Sequence, residues 1–152
     1  MEALLVVDIQ PETVKPRRAD ALMDYWNHVI ESFEPKYIAY IANLRPLARI
    51  PKGCPFAEGL NVVSDNIFFK RVPNAFTNAA LSDWLDQIGA DSVKIIGIDG
   101  NWCIKATALG ALKKGFRVIV LADAVSSKNE RVFREKTTPL LKEQGVEILA
   151  LS

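Results

Sequence analysis

The stretch VKIIGIDGNWCIKATALGALKKG, residues 93–115, constrains this chain more than any other. Residues 92–98 form a short apolar, β-branched run, the mark of a strand buried on both faces. Gly97 and Gly100 punctuate the turn after it, where backbone must approach something closely or take positive φ. From Trp102 onward, Ile104, Ala108, Ala111 and Leu112 recur at helical spacing. Ala106, Thr107 and Gly110 keep another face thin enough to lie close on a sheet. Lys113 and Lys114 suit a helix C-terminus, and Gly115 stops the helix. Cys103 falls at the predicted helix start, among unpaired N–H groups that lower a thiol's pKa and can cradle an oxyanion.

The remainder supplies the partners for this unit. Residues 3–7 are a continuous apolar run ending at Asp8, so a central parallel strand with a carboxylate at its C-terminal end. Pro11 and Pro16 break the next segment. Leu22, Trp26, Val29, Ile30 and Phe33 mark one face of a helix over about 19–33. Residues 37–42 read as a second strand. The segment 43–61 holds three prolines and two glycines, shows no clean periodicity and reads as a long surface loop. Residues 66–70 are a third strand ending in Lys70. Leu81, Trp84, Leu85 and Ile88 give a helix capped by Thr77 or Asn78 and stopped at Gly89. Residues 117–121 are the strand after the central unit, with Asp123 opening the next turn. A last helical region covers Val132 to Leu141, interrupted at Pro139, where Thr138 makes a fresh N-cap. Residues 146–150 are the final strand. Alternating strands and helices, with strands buried on both faces, make this a three-layer α/β/α fold around a parallel, Rossmann-like sheet of six strands. The expected strand order is 3-2-1-4-5-6.

Composition narrows the function. At 152 residues the chain is read as a single domain, residues 1–152, long enough to bury roughly 68–70% of its unfolded surface. A net charge of +1 leaves no electrostatic footprint for nucleic acid. The N-terminal apolar run is too short for a signal peptide or membrane span. Two cysteines, Cys54 and Cys103, make no disulfide framework, so the reading is a cytoplasmic protein. One histidine, His28, and two distant cysteines supply no closed metal site, and no metal or other cofactor is expected. A doubly wound nucleotide-binding domain would carry G-x-G-x-x-G after a strand, and this chain has none.

Ligands of open parallel sheets bind outside the carboxyl ends of the strands. Asp8, Lys70 and Cys103 each fall at or just past such an end. A thiol of ordinary pKa needs a base for its proton or a cation to hold its charge. Asp8 fits the base, Lys70 the cation and the turn before Cys103 an oxyanion hole, a set suited to attack on a carbonyl carbon with departure of ammonia or an amine. Each residue also has a structural reading: inert packing for the cysteine, a turn cap for the aspartate, a solvated strand end for the lysine.

LLVVDIQ, FFKRVPNAFTNAALSDWL and GIDGNWCIKATALGALKKGFRVIVLADA, in this order, resemble the isochorismatase-like cysteine hydrolases, a superfamily that includes nicotinamidases and carbamoylsarcosine-type amidohydrolases. The carrying positions are Asp8 with Gln10, Lys70 with Ala75-Phe76, Gly97 to Cys103, Thr107-Ala108, Gly115 and Asp123-Ala124. The resemblance implies that Asp8, Lys70 and Cys103 form a triad cleaving a C–N bond of a small amide or carbamoyl compound through a Cys103 thioester. It puts a cis peptide at Ile98-Asp99, aims the Asp99 and Cys103 amides at the oxyanion, and sets Gln10, Phe76 and Trp102 about the substrate. It also implies a homo-oligomer, with Trp102 as pocket wall or oligomer contact. Pro11-Glu12-Thr13, which alters the usual pocket wall, and Gly100, where a threonine is frequent, depart from the family pattern, while the missing Asp-x-His and later histidine before Lys70 disfavour a metal-dependent nicotinamidase. The alternative is a catalytically idle member acting as a binding or assembly module.

Overall fold

Six strands form one sheet: β1 (Glu2–Val7), β2 (Ile38–Asn43), β3 (Ile67–Lys70), β4 (Ser92–Ile98), β5 (Arg117–Ser126) and β6 (Glu147–Leu149). The computed structural model, which describes residues 1–150, places them in the order β3-β2-β1-β4-β5-β6. All neighbours run parallel. Both order and direction are those expected from the sequence. From β1 the chain runs outward to β2 and β3, then returns to β4 on the other side of β1, so strand order reverses between β1 and β4.

Strand alternation divides the core into two layers. Ala3, Leu5 and Val7 face one layer with Leu81 and Leu85 of α3 (Ala79–Gln87), Ile104, Ala108 and Ala111 around α4 (Lys105–Lys113), and Leu141. Leu4 and Val6 face the other, with Trp26, Val29 and Ile30 from the helix Met23–Glu31 and Phe56 and Leu60 from the long loop. Residues 3–7 are wholly buried, which is why that run carries no polar residue. The long loop is anchored, not free: Ala57 N–H donates to the Ile9 carbonyl (2.9 Å), and the Phe56 and Tyr40 rings lie 5.4 Å apart.

The structure departs from the sequence reading at five places, each for a local reason. Where Pro11 and Pro16 were expected to break the chain, a short helix α1 runs Pro11–Arg17. Pro11 stands in its first turn, where a missing N–H costs nothing, and the helix ends at Arg18 with φ of 51°. The next helix, α2 (Met23–Glu31), is preceded by a 3₁₀ turn at Ala19–Leu22. β5 continues through Asp123 to Ser126 because a register shift between Ile95 and Gly97 absorbs the extra residues; Asp123 therefore lies in the strand, not in a turn. Cys103 does not begin α4 but sits in a wide π turn, Gly100–Ile104, ahead of it. The last helical region runs on from α5 (Glu130–Val132) through a second π turn at Phe133–Thr137 into α6 (Thr138–Gln144). Pro139 is accommodated there in the first turn of α6, and the cap is Thr137, one residue before the predicted Thr138. Among the described residues, no helix is long and apolar enough to cross a membrane.

Candidate active site

Three loops at the carboxyl edge carry the candidate residues. Val7 ends β1, and Asp8 turns out of the strand with φ of 54°, in the left-handed region that aspartate tolerates better than most residues. Its N–H donates to the Ile41 carbonyl (3.0 Å), and its own carbonyl accepts from the Thr13 hydroxyl. Lys70 is the last residue of β3 and pairs in register with Asn43 at the end of β2. Since β2 lies between β3 and β1, Lys70 reaches across the end of β2 toward Asp8. The turn bearing Cys103 is folded onto one residue: the Trp102 and Ile104 amides donate to the Asp99 carbonyl (3.1 and 3.0 Å), and the Asn101 amide donates to Asp99 Oδ1 (2.9 Å).

These loops bring Asp8, Lys70 and Cys103 together. Lys70 Nζ lies 2.9 Å from Asp8 Oδ2, 3.1 Å from Asn43 Oδ1 and 3.3 Å from Cys103 Sγ. An ammonium has three protons, and here each has an acceptor, so the charge is fixed in place with little room for another rotamer. Asp8 is 2% exposed and Lys70 3%; a buried carboxylate and a buried ammonium are tolerable only as a pair. Asp8 Oδ1 has no hydrogen-bond partner among the described residues, and the Cys103 thiol is among the groups that act on the Asp8 carboxyl.

Burial raises the Asp8 carboxyl above its ordinary value; Lys70, the Cys103 thiol and, more weakly, Arg17 oppose the rise without cancelling it. The Cys103 thiol is pushed up to about 12, by burial first and the Asp8 charge second, against the pull of Lys70. This reverses the expectation that a helix N-terminus lowers the thiol's pKa. Cys103 is inside a half-buried π turn beside a carboxylate, and desolvation and like charge outweigh the neighbouring amides. The resting site is a thiol next to a carboxylate that is a stronger base than usual.

The other expected residues have mixed places. The Ile98–Asp99 peptide is cis. Gln10 brackets the backbone of β2, its Oε1 accepting from Asn43 N–H (2.9 Å) and its Nε2 donating to the Asn43 carbonyl (3.1 Å). Phe76 is buried in the core with its ring 6.0 Å from that of Phe116. Trp102 is 66% exposed next to Cys103. Cys54 is exposed, and Trp26, as expected, is core, donating from Nε1 to the Ala124 carbonyl (2.8 Å).

Sequence reasoning missed Asn43, Thr13, Arg17 and the role of Thr107. Thr107 Oγ accepts from Ala75 N–H (3.1 Å) and donates to the Pro73 carbonyl (3.3 Å), tying α4 to the segment just after Lys70. Gly100 has a simple reason: a Cβ there would lie 2.3 Å from Ser127 Oγ and 2.4 Å from the Phe133 ring. For Gly97 the reason is twofold, a φ of 126° and the Val7 carbonyl oxygen 2.0 Å from where a Cβ would stand.

Among the described residues, no three His, Cys, Asp or Glu side chains come together in a way that would hold a metal ion. His28 is exposed on α2, and Arg45 and Arg49 occupy the loop after β2.

The whole sheet has known counterparts. The PnC1 protein from L. infantum, solved in complex with nicotinate, superposes with a TM-score of 0.80 at 22% identity, over 99% of this chain and 92% of that one. The pyrazinamidase of Pyrococcus horikoshii, solved in complex with zinc, superposes with a TM-score of 0.74 at 26% identity over 99% of both. In sequence, the chain is 26% identical to the nicotinamidase of Escherichia coli (strain K12) over 125 residues, 80% of this chain and 54% of that protein. The chain thus spans about half the length of that relative, and its match to nicotinamidase 3 of Arabidopsis thaliana covers 34% of that protein. The isochorismatase domain model matches residues 2–151, and on that match the chain belongs to the isochorismatase domain family.

Proposed function

We propose that residues 1–152 work as one hydrolase domain that cleaves a C–N bond of a small amide or carbamoyl compound, with Cys103 as nucleophile, Asp8 as base and Lys70 as the cation that holds both. The observation that carries this reading is the single ammonium within 3.3 Å of a carboxylate and a thiol at the carboxyl edge of the sheet. Family membership and relatives named for amide hydrolysis support the reaction class.

The thiol proton passes to Asp8 as Sγ attacks the carbonyl carbon, giving a tetrahedral oxyanion. Its charge falls to the amides of Asp99 and Cys103, the pair that the family resemblance implies. Collapse breaks the C–N bond, and the proton on Asp8 leaves with the nitrogen as ammonia or an amine. Water then attacks the thioester, giving its proton to Asp8, and the acid and free thiol are released. Lys70 stays charged throughout, balancing carboxylate, thiolate and oxyanion in turn.

A cleft of about 660 Å³ opens beside this group, meeting it at Gln10 and Asn43 and lined also by Arg45, Arg49 and Cys54. Its size fits a compact substrate, and it borders the triad through Asn43, since Asp8, Lys70 and Cys103 do not themselves line it. The exposed Trp102 is read as wall or subunit contact, Phe76 as support for the loop after Lys70, and the protein as a cytoplasmic homo-oligomer. Ammonia release across a panel of small amides and ureides tests the reading. At least one compound should be turned over, and activity should vanish in Lys70→Ala. A panel with no turnover by folded protein would move the idle binding module to the front.

A further inference from the structure

Asp99 is an unexpected neighbour for an oxyanion. Its amide is one of the two donors assigned to that charge, yet its own side chain is a carboxylate, 3% exposed. The carboxylate has a structural use. Oδ1 accepts the Asn101 amide (2.9 Å) and Oδ2 the Lys128 amide (2.8 Å), so it closes the turn that carries Cys103 and fastens it to the segment after β5. Uncompensated, the same charge would oppose thiolate and oxyanion alike, and low-dielectric surroundings would make that opposition strong.

Arg17 supplies the compensation. It comes from α1, 82 residues away in sequence, and its Nε donates to Asp99 Oδ2 at 3.1 Å. Its side chain is 17% exposed, so the pair is largely shielded from solvent. Arg17 Nη1 also donates to the Thr13 carbonyl (3.0 Å), while the Thr13 hydroxyl donates to the Asp8 carbonyl. One continuous path of hydrogen bonds therefore links the loop bearing the base to the turn bearing the nucleophile.

The geometry points to Arg17 as a positioning residue for the reaction: it neutralises Asp99, so that a carboxylate can close the nucleophile's turn without opposing negative charge on Cys103 or the oxyanion. This rests on Cys103 being the nucleophile of the proposed hydrolysis, but its test needs no substrate.

The test is iodoacetamide labelling at neutral pH, with Cys103 read against the exposed Cys54 in the same molecule and folding followed by circular dichroism. Arg17→Met should slow Cys103 labelling about tenfold, the size of one pKa unit. Arg17→Lys should keep most of the wild-type rate. Asp99→Asn, which keeps an oxygen for the Asn101 amide but carries no charge, should label no slower than wild type. The Arg17→Met/Asp99→Asn double variant should return to within about threefold of it. A purely structural pair would instead lose reactivity in both single variants and lose more in the double. A wild-type rate in folded Arg17→Met, or a double variant no faster than Arg17→Met, overturns the proposal. If Arg17→Met alone does not fold, recovery of fold and labelling in the double variant supports it, and failure to recover overturns it. Labelling that follows these expectations while the amide panel shows no turnover would leave the charge pairing standing and remove only the hydrolase reading.

Discussion

Lys70 is the residue on which the site turns, because its three protons meet Asp8, Asn43 and Cys103 at once. Removing Asp8's charge should therefore have two effects of opposite sign. The Asp8 charge is the second cause, after burial, of the thiol's rise to about 12. Asp8→Asn leaves Lys70 facing the sulfur alone, so the thiolate becomes easier to form and iodoacetamide labelling of Cys103 should rise, by about tenfold or more. Hydrolysis needs a proton carried to the leaving nitrogen, and loss of the carrier should lower turnover by roughly 10²–10⁴. Labelling and turnover falling together would mean that Asp8 acts through structure and not as the base. The sequence reading already set Asp8, Lys70 and Cys103 at strand ends as candidate base, cation and nucleophile, but it inferred a lowered thiol pKa. The direction of the shift depends on burial and on a carboxylate 95 positions away in the chain, and helix position alone carries neither.

At the level of elements, the strands were readable because β1, β2, β4 and the first half of β5 are largely buried on both faces and so carry mainly apolar runs, broken within β4 by Lys94. The turns were less readable. Two prolines in seven residues look like a break, yet α1 forms with Pro11 where no donor is required and with Pro16 inside its last turn, just before it ends at Arg18. A π turn shifts the helical period by one residue, which moved Cys103 off the predicted start of α4. The Arg17–Asp99 pair joins a helix and a turn that share no local pattern. Gly100 is the test of the nucleophile turn as a packed element. With Phe133 only 1% exposed, its ring has little room to yield, so Gly100→Ala should lower unfolding free energy by about 1–3 kcal/mol in urea. An unchanged midpoint would show that the turn has slack.

For the molecule as a whole, Leu47, Val72 and Trp102 are exposed large hydrophobics that follow β2, β3 and β4, so all lie toward the carboxyl edge that bears the site. A homo-oligomer formed over that edge would cover them and narrow the entrance. Light scattering should then report a multiple of 16.9 kDa, and Trp102→Glu should reduce it; a wild-type monomer would remove the partner subunit from the account. The central claim is narrower: Cys103 carries the acyl group between two half-reactions. It is tested by acid-quenching the protein during turnover of an amide that releases ammonia, and weighing the intact chain. An adduct on Cys103 equal to the substrate less ammonia is expected, and neither adduct nor ammonia from Cys103→Ser. Ammonia release at the wild-type rate by Cys103→Ser would contradict it.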